Sequence, residues 1–290
     1  MLPSTIVSAM ASVGFRTNRL QTFQVDIEPF SHQDFNEKGF VWPWRIAKIH
    51  QHTRTAGLRV TMKDQLIIFF TNHTIYIRHL NANINKKLNT KELLLSQPIY
   101  GLFTVLYCGN SSMLFETKII LRSQRRCIST SQTQPVCVSR ETRKPTPFPD
   151  SIKEIFLYAA HATKPDIPPM LPGPQSPEQR SYSQQFIIDE TDLDSNGHTN
   201  NTIYIKFCFD VASKAITDGI FTHINHDMLN SKLSEFTVHF VGETREGDKV
   251  TFTVWQDLGN KRLLHFQANT DDSIVCKCQF SFNCQVLSLL

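Results

Sequence analysis

The hydrophobic and polar positions of the second half of the chain follow two different periods. Residues 201–216 place apolar side chains at helical spacing, which predicts a long helix that is apolar around nearly its whole circumference. Such a helix must be buried on several sides. The segments that surround it read as strands, separated by short turns such as "REGD" and "GNK": 182–189, 234–243, 249–258, 262–269 and 273–286. This order predicts one antiparallel sheet curled around one central helix.

The first half repeats this order more weakly. Residues 23–53 run from a strand through a loop with a glycine into a helix-like stretch. The Ile-, Phe- and Thr-rich segment 64–80 predicts one strand or a pair of strands, and 111–123 and 127–139 predict two more, with Pro135 at an edge or a bulge. Residues 151–162 have helical spacing. A predicted helix therefore follows the strands of the first half.

A proline-rich segment separates the two halves. Residues 163–181 contain six prolines and a glycine, so they favour an extended linker over helix or strand. The predicted organisation is an N-terminal extension at 1–22, a first domain at 23–150, a helix and linker at 151–181, and a second domain at 182–290.

The two halves can be aligned on a glycine that follows the first strand of each. Setting Gly39 against Gly197 places Asn36 on Asp194, Lys38 on Asn196 and Phe40 on His198. The distance from strand to glycine differs between the copies, so the alignment requires an insertion. Phenylalanine can neither exchange protons nor accept a hydrogen bond in this way, so only the second copy is expected to carry a complete polar site.

Composition and charge exclude some classes of function. The chain has 290 residues, a formal charge of +4 and 40% hydrophobic residues, which argues against a dedicated nucleic-acid binder. It has no apolar run of the roughly 20 residues that a membrane span needs. The first 25 residues lack acids and include Arg16 and Arg19, which fits either a weak mitochondrial presequence or an irregular N-terminus. A cytoplasmic and a mitochondrial location both stay open.

Metal and cofactor motifs are missing from the sequence. The seven cysteines are odd in number and mostly lie among apolar residues, which favours reduced thiols over a disulfide framework. Cys276 and Cys278 form a C-x-C pair without a second pair at zinc-finger spacing. No Walker loop, dinucleotide glycine pattern or G-x-S-x-G elbow occurs. We therefore expect no metal and no cofactor.

The segment "DLDSNGHTNNTIYI" at 192–205 carries the most specific signal. It resembles the D-x-N-x-H-x-N-N-x-x-Y signature of plant and bacterial acyl-ACP thioesterases, whose chains contain two hotdog domains, each a curved antiparallel sheet around one helix. The resemblance implies an α+β, double hotdog fold and hydrolysis of acyl thioesters. The matched positions are Asp194, Asn196, His198, Asn200, Asn201 and Tyr204.

A second match lies at 236–250, where the family has a strand ending in Glu-Cys. Here Glu243 is followed by Thr244. The resemblance implies a catalytic set of Asp194, Asn196, His198 and Glu243. Water would be activated by the carboxylates of Asp194 and Glu243 rather than replaced by a cysteine nucleophile. Removing the Thr244 hydroxyl should therefore have a mild effect.

The remaining polar groups are expected to serve the substrate and the transition state. Asn196 and His198 can orient groups by hydrogen bonds, and His198 can also carry protons. The start of the helix, near Asn200 and Asn201, can stabilise a developing negative charge. Together with Tyr204, these two asparagines are the predicted substrate-binding residues.

Other interpretations of the same residues stay open. Asp192 and Asp194 are also typical of turns and helix caps. A calcium loop is disfavoured because Ile203 or Ile205 occupies its twelfth position. The chain could instead be a non-catalytic acyl-thioester binding or scaffold protein of hotdog fold, or, less well matched, a hydratase.

Partners are less clearly indicated than the chemistry. Trp42 and Trp44 could line an acyl tunnel or pack in the core, and the basic runs 122–126 and 139–144 could dock an acyl carrier protein or simply be solvated. The expected substrate is acyl-ACP or acyl-CoA. A homodimer is left open.

Overall fold

The computed structural model describes residues 15–17, 20–160, 169–174, 179–271 and 273–283. Its strands are β1 (Phe15–Thr17), β2 (Leu20–Ile27), β3 (His73–Ile84), β4 (Ile99–Cys108), β5 (Met113–Leu121), β6 (Arg126–Ser139), β7 (Ser181–Ile187), β8 (Leu233–Phe240), β9 (Lys249–Gln256), β10 (Leu263–Asn269) and β11 (Ile274–Phe282). Its helices are α1 (Pro43–Met62), α2 (Gln65–Asn72), α3 (Lys91–Leu94), α4 (Asp150–Ile155), α5 (Leu157–Ala160), α6 (Asn201–Thr217) and α7 (His226–Ser231). Residues 1–14, and with them most of the predicted presequence, lie outside the described part, as does much of the linker.

The chain forms two compact units that interleave along the sequence. The first comprises residues 1–30, 49–76 and 96–165, and the second comprises 31–48, 77–95 and 166–290. The sequence predicts two domains that follow one another along the chain, 23–150 and 182–290. These domain boundaries stay a prediction. Helix α1 and strand β3 each contribute residues to both units, because contacts rather than chain order define them.

The first unit is an antiparallel sheet with the order β1-β2-β4-β5-β6. The part of α1 that belongs to this unit lies close to β4. A Cβ atom added at Gly57 would clash with the Phe103 ring, so the glycine permits the close approach. His50 of α1 is buried and hydrogen-bonds Thr117 at 2.8 Å and Ser129 at 2.9 Å. This helix is thereby fixed to the sheet by packing and by polar contacts.

The second unit is an antiparallel sheet with the order β3-β8-β11-β10-β9-β7. Helix α6 packs against β7, β9 and β11. Phe207 of α6 stacks on Phe186 of β7 at 4.3 Å and meets Phe252 of β9 edge-on at 5.5 Å. The prediction of one antiparallel sheet around a buried, mostly apolar helix is confirmed here.

Three local predictions were wrong or incomplete. Residues 65–72, predicted as strand, form α2, because Phe69 is buried while Ile67 and Ile68 are exposed. The β-branched residues that suggested a strand thus face outward, and the buried positions follow a helical period. The predicted helix at 151–162 is broken at Phe156 into α4 and α5. The short helix α7 has no counterpart in the predicted elements.

Candidate active site

The loop at 189–200 is held by hydrogen bonds within its own backbone and side chains. A short 3-10 helix, Glu190–Asp192, begins at Asp189, whose carboxylate accepts from the Thr191 amide at 2.9 Å. Asp194 then closes a turn, because its amide donates to the His198 carbonyl at 2.7 Å. Gly197 has a φ of +74°, a conformation that favours glycine. The loop therefore presents the backbone at 194–198 in one defined conformation.

The Asp194 carboxylate organises this turn. Its Oδ1 atom accepts from the backbone N–H groups of Asn196 at 2.8 Å and of His198 at 3.3 Å. The Asn196 side-chain amide lies 3.5 Å from Oδ2. Asp194 thus fixes the backbone that carries His198, a contact that resembles the capping and turn chemistry considered from the sequence.

Asn200 is the N-cap of α6. Its Oδ1 accepts from the Thr202 amide and the Thr202 hydroxyl, each at 3.0 Å, and its own amide donates to the Asp192 carbonyl at 2.8 Å. The backbone N–H and the side-chain oxygen of Asn200 are therefore both engaged within the loop rather than directed at a ligand. Asn201 is the first residue of α6 and is half-buried. Substrate contacts from either asparagine stay predictions.

His198 meets Glu243 across the site. The His198 Nε2 atom lies 3.2 Å from Glu243 Oε2, and the side chains are 12% and 28% exposed. The sequence places Glu243 at the end of a strand, which is wrong: β8 ends at Phe240, and Glu243 lies in the following loop. This loop brings a carboxylate to a histidine 45 positions earlier in the sequence. Both groups remain partly accessible, as a reacting pair requires.

The four predicted catalytic residues are therefore connected in one place. Asp194 contacts the backbone of Asn196 and His198, and His198 pairs with Glu243. Asn196 itself is exposed. A partly accessible carboxylate beside an imidazole can accept a proton from water while the histidine orients the carboxylate or relays the proton.

Comparison with known proteins points to one family. Residues 175–284 match the model of the acyl-ACP thioesterase C-terminal domain. This part of the chain is therefore similar to that domain. No curated protein sequence matches the chain. The match covers the motif loop, α6, Glu243 and the strands that follow, and it supports acyl thioester hydrolysis as the general activity.

Solved structures of acyl-ACP thioesterases share the whole fold. An acyl-ACP thioesterase from Bacteroides thetaiotaomicron has a TM-score of 0.70 at 15% identity, over 92% of this chain and 98% of that chain. The 12:0-ACP thioesterase from Umbellularia californica has a TM-score of 0.70 at 14% identity, over 91% of this chain and 98% of that chain. At this identity the likeness shows the fold, and it confirms the predicted double hotdog architecture.

Thr244, at the cysteine position of the acyl-ACP thioesterase motif, is completely buried. Its hydroxyl shares hydrogen bonds with the Thr199 hydroxyl at 2.6 Å and with the Tyr204 hydroxyl at 2.8 Å. Burial raises the pKa of Tyr204, which is 3% exposed. The sequence predicts Tyr204 as a substrate contact and Thr244 as nearly dispensable. The structure instead gives both hydroxyls a buried contact with each other, which sequence reasoning missed.

The tryptophan pair Trp42 and Trp44 lies beside an open cavity of about 600 Å³. Trp42 and Trp44 stack at 4.5 Å, and each meets Phe209 of α6 edge-on. The cavity is lined by Trp42 and Phe209 but also by charged and polar groups: Glu37, Lys38, Ser213, His226, Asp227 and Asn230. Its mixed lining does not match the apolar tunnel considered for Trp42 and Trp44.

Three further features concern metals, membranes and cysteines. Among the described residues, no group of three or more His, Cys, Asp and Glu side chains is arranged to hold a metal ion. Within the same residues, no helix is both long and apolar enough to span a membrane. The six cysteines that the structure describes are free thiols: Cys108, Cys127, Cys137, Cys208, Cys276 and Cys278.

Proposed function

We propose that this protein hydrolyses acyl thioesters, releasing a fatty acid from acyl-ACP or acyl-CoA, with Glu243 activating water. The observation that carries the proposal is the 3.2 Å contact between His198 Nε2 and Glu243 Oε2, both partly accessible, within the thioesterase motif. Thioester hydrolysis needs a base that can reach water, and Glu243 is a partly accessible carboxylate that contacts the ring of the motif histidine.

In the proposed reaction, Glu243 removes a proton from water as the oxygen attacks the thioester carbonyl carbon. The carbonyl π electrons move to oxygen, giving a tetrahedral oxyanion. When this species collapses, the C–S bond breaks and the thiolate leaves, and it takes up the proton that Glu243 held. His198, hydrogen-bonded to Glu243, orients the carboxylate and can relay that proton. Water and thioester thus give a fatty acid and a free thiol.

The other motif residues have supporting roles in this proposal. Asp194 fixes the turn that carries His198, so its carboxylate acts by holding the His198 backbone in place. The exposed Asn196 amide, 3.5 Å from Asp194 Oδ2, can turn toward a bound substrate or water, and the first turn of α6 at Asn201 offers a positive helix end to the developing oxyanion. Asn200 contributes by capping that helix.

The two basic runs, 122–126 and 139–144, contain arginines that are already engaged within the protein and cations that are exposed to a possible acidic carrier. In 122–126, Arg122 is already paired with Asp26 and lies over the Tyr100 ring, while Arg125 and Arg126 are exposed. In 139–144, Arg140 donates to the carbonyls of Phe70 and His73. The exposed Arg125 and Arg126 of the first run and the exposed Lys144 of the second are therefore the candidates for contact with an acyl carrier protein or with the phosphates of CoA.

The test is a chain-length series of acyl-ACP and acyl-CoA substrates with the purified full-length protein, following release of free thiol. The expected result is turnover in the unmodified protein that falls by about 100- to 10,000-fold in Glu243→Gln, with thioester binding retained. Tight binding of acyl thioesters without turnover in the unmodified protein would instead show the binding or scaffold protein considered from the sequence. The preferred carrier in the series decides between ACP and CoA.

A further inference from the structure

The residues that flank the reacting pair are joined by a buried network. His198 is followed by Thr199, and Glu243 is followed by Thr244. The Thr199 amide donates to the Thr244 carbonyl at 2.8 Å, and the Thr199 hydroxyl lies 3.2 Å from the same oxygen. Together with the 2.6 Å contact between the two hydroxyls, three hydrogen bonds connect these two neighbours of the reacting pair.

Tyr204 extends the network into the helix. Its hydroxyl lies 2.8 Å from Thr244 Oγ1, and its ring packs against Phe240, at the end of β8, and against Phe252 of β9. Thr199, Thr244 and Tyr204 are 5%, 0% and 3% exposed, so water does not compete for these hydrogen bonds. The loop that carries Glu243 is thereby attached both to the motif loop and to α6.

We infer that Thr199, Thr244 and Tyr204 form a positioning network that sets the distance between His198 and Glu243. Glu243 lies in a loop, three residues beyond the end of β8. Before it, the amides of Val241 and Gly242 donate to the Val275 carbonyl of β11 at 2.9 and 3.0 Å. The hydroxyl network holds the residue on the other side of the carboxylate, Thr244. The Thr244 hydroxyl is already engaged with two buried partners and is sealed from solvent, so it is placed to hold the loop rather than to attack a substrate.

The inference explains why threonine serves at the cysteine position. A hydroxyl makes shorter and stronger hydrogen bonds than a thiol, which is a weak donor and a weak acceptor. Threonine also has a methyl group that fills the buried space beside the hydroxyl. A serine would keep the hydroxyl and lose the methyl group, whereas valine would keep the shape and lose the hydroxyl. These two substitutions therefore separate hydrogen bonding from packing.

The catalytic consequence rests on the proposed function, so the experiment includes a measurement that does not need turnover. In the full-length protein with selectively labelled histidine and glutamate, nuclear Overhauser contacts between the His198 ring and the Glu243 side chain report their separation. We expect these contacts in the unmodified protein and in Thr244→Ser, and we expect them to weaken strongly in Thr244→Val and Tyr204→Phe. Contacts that persist unchanged in both of the latter variants would overturn the inference.

Kinetics provide the second measurement. Because a displacement of about 1 Å in an active site can cost on the order of 100-fold, we expect kcat to fall by about 10- to 100-fold in Thr244→Val and Tyr204→Phe, with KM little changed and Thr244→Ser close to the unmodified protein. An acyl group found covalently attached to Thr244 would make it a nucleophile and would overturn the positioning role. If the unmodified protein lacks turnover but the Overhauser contacts respond as expected, the proposed function fails and the positioning network stands.

A matched control separates position from general destabilisation. Thr117 is another threonine that is 2% exposed, and its hydroxyl bonds His50 in the first unit. Thr117→Val therefore removes a comparable buried hydrogen bond. We expect it to lower the unfolding temperature while leaving the His198–Glu243 contacts intact. If Thr117→Val weakened those contacts as much as Thr244→Val, a loss of stability would explain both results and the specific network would be refuted.

Discussion

The two glycine-containing loops, at 31–42 and 189–200, have nearly the same geometry and different chemistry. Each has a 3-10 helix with a capping box, His32–Asp34 in the first and Glu190–Asp192 in the second. Each then makes a turn closed by the same two backbone hydrogen bonds, from Asn36 to Phe40 and from Asp194 to His198, and from the glycine back to the first residue of the turn. The glycines have φ angles of +78° and +74°. The alignment of Gly39 with Gly197 therefore matches positions of equivalent local structure.

The equivalence extends to the side chain that organises each turn. Asn36 Oδ1 accepts from the amides of Lys38 and Phe40, each at 3.0 Å, as Asp194 Oδ1 accepts from Asn196 and His198. The loop therefore needs an acceptor oxygen at this position, and it does not need a negative charge. What distinguishes the second loop is the residue at its end, where His198 contacts Glu243 and Phe40 offers no polar group. The two loops thus share their backbone geometry and differ in the side chains placed on it.

The strongest test of this difference removes the reacting pair. We expect His198→Phe, which gives the second loop the residue of the first, and Glu243→Gln each to lower kcat by about 100- to 10,000-fold, because each removes a participant in proton transfer. The measurement is thiol release under saturating acyl thioester. Lys38→Ala is the control, because Lys38 occupies in the first loop the position that Asn196 occupies in the second. We expect it to leave kcat nearly unchanged. A loss in Lys38→Ala as deep as that in Glu243→Gln would contradict a single site.

Substitutions at Asp194 sharpen the comparison, because Asn36 shows that asparagine can organise the same turn. We expect Asp194→Asn to keep the turn and to lower kcat by less than about 10-fold, and Asp194→Ala to lower it by up to about 100-fold through misplacement of His198. Steady-state kinetics of both variants decide the matter. If Asp194→Asn were as inactive as Glu243→Gln, the Asp194 charge would itself act in catalysis, and its assignment as a turn-organising residue would be wrong.

His50 and His79 are buried, whereas the His198 side chain is 12% exposed. Burial lowers the pKa of His50 to about 3, with a further contribution from the charge of Arg54. The folded state therefore keeps His50 neutral while the unfolded state binds a proton below its ordinary pKa of about 6.5. Stability should be lost as the pH falls from about 6.5 towards 3, by up to roughly 1.4 kcal/mol per pH unit for this group.

The measurement for His50 is denaturant unfolding as a function of pH in the unmodified protein and in His50→Asn. The variant should be less stable at neutral pH and should show a shallower decline in acid. Equal slopes in the two proteins would show that His50 does not remain neutral in the fold. His79 adds a similar contribution over a narrower window, since burial lowers its pKa to about 4, so the pH dependence of the variant should not vanish.

The smallest expected effect concerns the turn glycines. An alanine at φ near +75° costs roughly 1–2 kcal/mol, so Gly39→Ala and Gly197→Ala should lower the free energy of unfolding by similar amounts. A Cβ at Gly197 would meet no atom within 4 Å, and one at Gly39 would make only ordinary contacts at 3.7 Å, so neither adds a clash. Only Gly197→Ala should also lower kcat. Unequal destabilisation in urea unfolding would show that the turns are not energetically equivalent.

Much of this protein could be predicted from its sequence, for reasons that are local. The apolar period of 201–216 determines a buried helix, the alternation at 273–286 determines a strand, and the glycines mark turns that need a positive φ. The specific spacing of the motif predicted Asp194, Asn196 and His198 as a set, and a separate match at 236–250 added Glu243. Apart from the pairing with Glu243, these features depend on residues that are close together in the sequence, so the sequence of one chain is enough to predict them.

Tertiary structure decided the features that depend on residues far apart. Whether residues 65–72 are helix or strand depended on which side chains the rest of the fold covered, and burial of Phe69 with exposure of Ile67 and Ile68 gave the helix. The role of Thr244 depended on Thr199 and Tyr204, which precede it by 45 and 40 positions. Hydrogen bonds and packing between such distant segments have no signature in local periodicity, because they exist only once the chain has folded.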